Sequence, residues 1–207
     1  KRKDKMVICV TSTESGDGKT FLSTNLAALY SMTGKKTLLI DLDLRKPNIH
    51  TKLGLENGMG MSNYLIGDCE IEDILMTNTP FGFDLMRAGT VPPNPGELVH
   101  SDKMTNMINA MREKYDYIVM DTSPIGLVPD AYALINNSDL CLYVIRCMQT
   151  NKSFCKQTLE QMMEVVDNTE KVQIVLSDIP TEGRHSYGSG YGYGYGGYGG
   201  YGYGHLG

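Results

Sequence analysis

The feature that most constrains this chain is a glycine-rich loop that ends in Gly-Asp-Gly-Lys-Thr at residues 16–20. Residues 6–11 before the loop form a short apolar run of strand type, and residues 20–33 after it carry leucines at helical spacing. A strand, a loop ending in Gly-Lys-Thr and a helix together form a P-loop, in which backbone N–H groups and the helix N-terminus bind phosphate. The sequence therefore predicts a nucleoside triphosphate site here.

The residues of this loop have separate expected tasks. Gly16 and Gly18 allow the backbone to curl so that its N–H groups face phosphate oxygens. Lys19 is expected to reach the β- and γ-phosphates, and Thr20 to ligate Mg²⁺ through its hydroxyl. Thr13 stands where the usual motif has its first glycine. A chance Gly-Lys-Thr loop without nucleotide chemistry is the alternative.

Acidic residues end two further apolar runs. Asp41 closes the run at residues 36–41 and Asp43 follows two residues later, while Asp121 closes the run at residues 117–121. Ligands of open α/β sheets lie at the carboxyl ends of the strands, so these carboxylates are expected beside the P-loop. Carboxylates in that place suit Mg²⁺ ligation and base chemistry. The alternative is that they cap helices or turns.

Short, continuously apolar runs alternate with helical patterns along the chain, which predicts a parallel sheet buried on both faces. The expected fold is α/β, a doubly wound and mainly parallel sheet flanked by helices, over a domain at residues 1–180. The predicted strands cover residues 6–11, 36–41, 81–87, 117–121, 140–146 and 172–176. The predicted helices cover residues 20–33, 102–114, 130–136 and 151–166. Residues 42–79 are mixed, and residues 88–97 are expected to form a Pro/Gly loop.

The composition changes abruptly near residue 181, and residues 186–204 contain only Gly, Tyr and Ser. A glycine-rich stretch has a high ordering entropy and no aliphatic core, so residues 181–207 are expected to form a flexible tail. The alternative is a strand with alternate tyrosines on one face, formed on docking to a partner.

Charge and cysteine content exclude several other classes. The formal net charge of −5 argues against a nucleic-acid partner. Five cysteines without a C-x-x-C pair are typical of reduced cytosolic thiols and indicate neither a disulfide framework nor a zinc site. No apolar run approaches the length of about 20 residues that a transmembrane helix needs. The chain begins without Met, so we expect it to be part of a longer polypeptide.

Taken together, these motifs resemble the bacterial tyrosine kinases that regulate capsule and exopolysaccharide export, whose catalytic domain has a MinD/ParA-like P-loop scaffold. The resemblance covers residues 5–180, with the tail added. Its segments are Walker A at residues 15–20, Walker A′ at residues 40–45, Walker B at residues 119–124, a Pro-rich loop at residues 89–98 and the tyrosine cluster of the tail.

The resemblance implies an ATP- and Mg²⁺-dependent protein-tyrosine autokinase, in which Lys19, Asp41 and Asp43 are catalytic. Asp41 would be the base toward the acceptor tyrosine, which is a poor nucleophile at its ordinary pKa near ~10. The implied metal ligands are Thr20, Asp43 and Asp121. The implied nucleotide-binding residues are Ser15, Gly16, Asp17, Gly18, Lys19, Thr20, Phe21 and Asp178. The implied phosphate acceptors are Tyr187, Tyr191, Tyr193, Tyr195, Tyr198, Tyr201 and Tyr203.

The implied partners are the tail of the same or a neighbouring subunit, a membrane activator or polysaccharide co-polymerase segment, and further copies in a homo-oligomer. The implied location is the cytoplasmic face of the inner membrane, with the fragment itself soluble. Two alternatives stay open: a MinD/ParA-like ATPase switch and an inactive nucleotide-binding regulator. Glu14 stands where partition ATPases carry a signature Lys, which favours the kinase.

Overall fold

The computed structural model describes residues 5–180, and residues 1–4 and 181–207 lie outside that description. The strands of the described part are β1 Met6–Ser12, β2 Thr37–Leu42, β3 Leu75–Met76, β4 Asp84–Met86, β5 Tyr117–Thr122, β6 Leu140–Arg146 and β7 Val172–Ser177. Its α-helices are α1 Lys19–Met32, α2 Ile49–Lys52, α3 Met61–Ile66, α4 Ile71–Ile74, α5 Pro95–Val99, α6 Asp102–Lys114, α7 Asp130–Asn136 and α8 Lys152–Val165. A 3₁₀ turn, Thr169–Lys171, precedes β7.

The strands form a single sheet in the order β3-β4-β2-β5-β1-β6-β7, and all its pairs are parallel except β3 with β4. Strands β1, β2 and β5 lie in the middle and are almost wholly buried, which explains their continuously apolar sequences. Because α1 follows β1 and β1 pairs with both β5 and β6, the carboxyl ends of these strands surround the P-loop.

Helices cover both faces of the sheet, as the alternating sequence pattern predicted. Ala27 of α1 and Ile49 of α2 pack on one face against alternate residues of the central strands, such as Val10. On the other face, α6 contributes Met104, Met107, Ile108 and Met111 to the larger core cluster. The methionine stripe of α6 is therefore core packing. The doubly wound α/β fold is confirmed.

Strand β7 departs from the prediction of burial on both faces. Its residues Ile174 and Leu176 are 56% and 54% exposed, although they continue the face on which Tyr143 and Ile145 of β6 lie. In the described part of the chain β7 is the last strand of the sheet, and α8 packs over β6 through Cys155 and Met162. An apolar run of this length cannot distinguish an edge strand from a central one.

Three other segments also differ from the sequence prediction. The Pro/Gly loop expected at residues 88–97 already contains the start of α5, because Pro95 occupies its first turn. The strand predicted at residues 81–87 shortens to Asp84–Met86. The mixed stretch at residues 42–79 folds into three short helices and β3, none of which is long enough to show a period.

The five cysteines are all free thiols. Within residues 5–180, no helix combines the length and apolar character needed to cross a bilayer.

Candidate nucleotide site

The P-loop lies where β1 meets α1, and two glycines give it its shape. Gly16 and Gly18 have φ values of 94° and 103°, a left-handed conformation that residues with a Cβ rarely adopt. Gly18 caps α1 and its carbonyl accepts the first helical hydrogen bond, from the N–H of Leu22 at 2.9 Å. The N-terminus of α1 is thereby aimed at the end of the loop, where an anion is stabilised.

Thr13, which replaces the usual first glycine, is fully buried. Its hydroxyl shares a hydrogen bond of 2.7 Å with the hydroxyl of Tyr143 on β6. Thr13 does not have a positive φ, so a side chain causes no backbone strain there. The departure from the usual motif is therefore accommodated by a specific partner in the neighbouring strand.

A cavity of about 660 Å³ opens beside the loop at the carboxyl ends of the strands. All eight residues predicted to bind the nucleotide line it, from Ser15 through Phe21 together with Asp178. Asp43 lines the same cavity. These residues therefore surround one space, although they come from three separate segments.

Lys19 is only 6% exposed and faces this cavity. Burial lowers the pKa of its ammonium group, and the carboxylates of Asp121, Asp43 and Asp17 oppose that shift. Because the net shift is downward, these carboxylates compensate the buried ammonium group only in part, and a triphosphate would supply further negative charge.

Asp41 and Asp121 lie opposite each other in the register of β2 and β5, and both are almost completely buried. Burial raises the pKa of Asp41 to about 8, with a further contribution from the charge of Asp121. Burial also raises the pKa of Asp121 to about 6, although the hydroxyl of Thr20, the charge of Lys19 and the hydroxyl of Ser23 act against it. The positive charge near these two carboxyl groups is therefore too small to offset their burial.

Asp43 is more accessible than Asp41. Its Oδ1 accepts hydrogen bonds from Ser123 Oγ at 2.8 Å and from the N–H of Lys46 at 3.1 Å. Its Oδ2 has no donor within residues 5–180. By contrast, the carboxylate of Asp41 accepts from the N–H groups of Asp43 and Ile49, and it does not line the cavity.

Of the predicted metal ligands, Thr20 and Asp43 line the cavity, whereas Asp121 is buried outside the lining and accepts a hydrogen bond from Ser23 Oγ at 3.0 Å. Together the three offer one hydroxyl and two carboxylates. Oxygen donors of this kind fit Mg²⁺, which typically takes one or two carboxylates from the protein and keeps waters and substrate phosphates. A divalent cation would also supply the positive charge that the raised pKa of Asp121 shows to be lacking. Across residues 5–180 there is no cluster of three or more His, Cys, Asp or Glu side chains arranged to hold a metal by themselves.

Asp17 has a structural task in the loop that sequence reasoning did not identify. It is 3% exposed, and its carboxylate accepts from the N–H of Glu14 at 2.8 Å and from Thr150 Oγ1 at 2.7 Å. The side chain therefore ties the loop to the segment between β6 and α8.

Sequence reasoning also missed several residues that line the cavity. Lys46, Asn48 and Lys52 come from the mixed stretch, where no period marked them. Arg146 and Ser177 are the last residues of β6 and β7. The rule that selected Asp41 and Asp121, a polar residue at the end of a buried strand, could have found both.

The seven predicted acceptor tyrosines, Tyr187, Tyr191, Tyr193, Tyr195, Tyr198, Tyr201 and Tyr203, all lie outside the described residues.

Comparison with known proteins finds one family model and several curated relatives that match most of the chain. The AAA domain family matches residues 5–177. The tyrosine-protein kinase CpsD of Streptococcus agalactiae is 34% identical over 188 residues, which are 90% of this chain and 79% of CpsD. The tyrosine-protein kinase YwqD of Bacillus subtilis is 36% identical over 155 residues, which are 75% of this chain and 65% of YwqD, just under two thirds of its length.

Solved structures similar to this chain include a kinase of the same kind as these relatives. The kinase domain of the Escherichia coli tyrosine kinase ETK superposes with a TM-score of 0.82 at 28% identity, covering 93% of this chain and 75% of that domain. The septum site-determining protein MinD of Pyrococcus horikoshii, solved with Mg-ADP, reaches 0.64 at 21% identity, covering 82% of this chain and 68% of MinD. The likeness to MinD shows the shared fold alone.

Proposed function

This chain belongs to the bacterial tyrosine-protein kinases, within the AAA domain family, and we propose that it transfers the γ-phosphoryl group of ATP to tyrosines of its own C-terminal segment. The observation that carries the proposal is one cavity that brings together the P-loop, the buried Lys19 and the Asp43 carboxylate. Positioning and electrostatic stabilisation account for most of the catalysis of phosphoryl transfer, and these groups can supply both.

Lys19 and the N–H groups of the P-loop would bind the β- and γ-phosphates. Thr20, Asp43 and Asp121 would hold Mg²⁺, which when bound neutralises charge on the phosphate oxygens. Oδ2 of Asp43 supports this assignment, since it has no hydrogen-bond donor within residues 5–180 and Asp43 lines the cavity. Phe21 and Asp178 lie at more exposed positions of the lining, where a nucleoside would extend away from the phosphates.

The base role of Asp41 stays a prediction that this geometry does not favour. Its two oxygens accept from the backbone N–H groups of Asp43 and Ile49, and the residue is 1% exposed. A tyrosine hydroxyl could reach it only after the segment between these two residues shifted. Asp43 already lines the cavity, so we propose that it is the carboxylate closest to the reacting groups.

We propose that the tail is phosphorylated in trans, between copies of a homo-oligomer. Reach allows either geometry, because twenty flexible residues span about 25 Å in r.m.s. terms and up to ~70 Å when extended. The resemblance to kinases with a C-terminal tyrosine cluster favours a neighbouring subunit. Seven phosphates would add a charge of about −10 to −14, which would oppose assembly of neighbouring acidic chains.

The wider role that we propose is control of capsule or exopolysaccharide synthesis and export. In that role the kinase would act at the cytoplasmic face of the membrane, together with a membrane activator or co-polymerase segment. This part rests on the resemblance of the chain to that group of kinases.

A mixing experiment tests transfer between chains. One chain carries Lys19→Met with the tail intact, and the other keeps Lys19 but has all seven tail tyrosines replaced by Phe. With ATP and Mg²⁺, we expect phosphotyrosine on the Lys19→Met chain only when both chains are present. The matched control is Lys35→Met with the tail intact, since Lys35 is exposed and lies outside the cavity.

Labelling of the unmodified chain without labelling in the mixture would show transfer within one chain. No labelling of the unmodified chain, with the activator segment present, would refute the kinase activity itself.

A further inference from the structure

Two carbonyl groups of the P-loop are held from outside by side chains at the ends of neighbouring strands. The carbonyl oxygen of Gly16 accepts a hydrogen bond from Arg146 Nη1 at 3.2 Å. The carbonyl oxygen of Asp17 accepts one from Ser177 Oγ at 3.0 Å. Arg146 ends β6 and Ser177 ends β7. In the strand order these two strands lie on the opposite side of β1 from β5, so both contacts reach the loop from that direction.

The orientation of a carbonyl fixes the orientation of the next N–H group. In a trans peptide the C=O of one residue and the N–H of the next point in opposite directions, and the described residues contain no cis peptide bond. Because Arg146 and Ser177 hold the carbonyls of Gly16 and Asp17, the N–H groups of Asp17 and Gly18 point away from these two side chains.

These N–H groups are also available to a ligand. Within residues 5–180, neither the N–H of Asp17 nor that of Gly18 has a hydrogen-bond acceptor. Both residues line the cavity, and both belong to the loop that the sequence assigned to phosphate. Unpaired N–H groups in a loop with alternating left-handed glycines form an anion-binding concavity.

Further contacts hold the two side chains in place. Arg146 Nε forms an ion pair with Asp178 Oδ2 at 3.1 Å, and the N–H of Cys147 donates to the carbonyl of Ser177 at 2.9 Å. The hydroxyl of Thr150 accepts from the N–H of Arg146 and donates to Asp17 Oδ1. The ends of β6 and β7 and the P-loop therefore form one connected network.

We propose that Arg146 and Ser177 are positioning residues that orient the P-loop N–H groups toward phosphate before the nucleotide arrives. We call this pair the loop clamp. The inference rests on the proposed function, because it takes the cavity to be the nucleotide site. It adds that phosphate affinity depends on two side chains outside the P-loop, one of them uncharged.

The competing explanation is that both residues contact the base or the ribose, since they line the cavity themselves. Inorganic tripolyphosphate separates the two explanations because it has neither group. If Ser177 acts as part of the loop clamp, Ser177→Ala weakens binding of tripolyphosphate, ADP and ATP by a similar factor. If Ser177 instead contacts the base or the ribose, Ser177→Ala leaves the affinity for tripolyphosphate unchanged.

The test is calorimetric titration of the full chain with Mg²⁺ and each of the three ligands, for Ser177→Ala and Arg146→Lys. Each variant loses hydrogen bonds to a loop carbonyl, and Arg146→Lys keeps the positive charge. We expect roughly threefold to tenfold weaker binding of all three ligands. Ser153→Ala is the matched control, since Ser153 is exposed on α8 and outside the cavity.

Unchanged affinity for tripolyphosphate in both variants would overturn the inference, whatever happens to ATP. Thermal unfolding of each variant checks that it is folded, and either variant alone suffices for the comparison. A wild-type chain that binds tripolyphosphate but not ATP would refute the proposed function, while the loop clamp would still be tested by tripolyphosphate.

Discussion

At the scale of single residues, the site holds charged groups in places where water cannot fully compensate them. Lys19, Asp41 and Asp121 are each no more than 6% exposed, and burial shifts the pKa of all three toward the neutral form. Such shifts are typical of functional sites, because these sites bury charged groups that a ligand of opposite charge stabilises only when it is bound. The stability of the chain without nucleotide should therefore depend on pH.

Asp41 gives a prediction about stability. Its pKa is about 8 in the folded chain and near ~3.9 in an unfolded one, so between these values the folded state binds a proton that the unfolded state does not. The free energy of unfolding must then fall as the pH rises. In EDTA, we expect it to fall between pH 6 and 8 more steeply than in Asp41→Asn, by up to about 1.4 kcal/mol per pH unit.

Urea unfolding at several pH values measures both slopes. The four histidines and the other acids are common to the two proteins, so the difference between the slopes reports the Asp41 carboxyl together with its coupling to Asp121. Parallel slopes in this range would contradict a raised pKa at Asp41.

Prediction from sequence was strongest for residues next to strong local signals. Lys19, Asp41 and Asp121 follow or end apolar runs, and one rule about strand ends places all three at the same edge of the sheet. The sequence did not indicate how deeply each carboxylate is buried. Asp41 and Asp43 are two residues apart, yet only Asp43 lines the cavity, because the chain turns after β2 and covers Asp41 with the N–H of Ile49.

At the scale of elements, the P-loop depends on β6 for its geometry. The hydroxyl of Tyr143, itself fully buried, meets the hydroxyl of Thr13 at the start of the loop. Tyr143→Phe would leave the Thr13 hydroxyl buried without this partner. We expect a loss of about 1–3 kcal/mol in the free energy of unfolding, measured by urea denaturation.

Tyr132→Phe is the control, because the Tyr132 hydroxyl has no hydrogen bond within residues 5–180 and should change stability little. The double variant Thr13→Val with Tyr143→Phe removes both hydroxyls and should cost less than the sum of the two single changes. Additive losses would show that the hydroxyl pair is not coupled.

Helix α6 shows what local sequence determines well. Its observed bounds, Asp102–Lys114, are those predicted from the sequence. Ser101 caps it by accepting from the N–H of Met104 at 3.2 Å. We expect Ser101→Ala to lower the free energy of unfolding by about 1 kcal/mol, against no resolvable change in Ser153→Ala. A loss below the error of urea denaturation would show that the cap is dispensable.

Short helices were beyond sequence prediction. Helices α2, α3 and α4 have four to six residues, which is less than two turns, so no apolar period can develop in them. They form because the larger core surrounds them: Ile49 of α2 and Met61 of α3 are fully buried. Lys46, Asn48 and Lys52 belong to this region, which is why these lining residues were missed.

At the scale of the whole molecule, the order of apolar runs and helices was enough to predict a doubly wound sheet, but not the position of each strand in it. The order β3-β4-β2-β5-β1-β6-β7 leaves β7 with its neighbour β6 on one side only, within the described part of the chain. Exposure of Ile174 and Leu176 follows from that position and from the placement of α8. Both are properties of the assembled sheet.

We propose that this sheet supports tyrosine phosphorylation of the C-terminal segment. The chain has 13 tyrosines. Seven belong to the C-terminal segment, and the other six are Tyr30, Tyr64, Tyr115, Tyr117, Tyr132 and Tyr143. Several of the six are held in the fold: Tyr143 and Tyr115 are buried, and Tyr30 stacks on Tyr117 with ring centroids 3.8 Å apart. A folded kinase should therefore modify the two groups very differently.

The most direct measurement is mass-spectrometric mapping of phosphotyrosine after incubation of the full chain with ATP and Mg²⁺. We predict phosphate on tyrosines between residues 187 and 203, little or none on the six tyrosines of residues 5–180, and none anywhere in Lys19→Met. Phosphate confined to residues 5–180, or a tail that stays unmodified with the activator segment present, would contradict the claim.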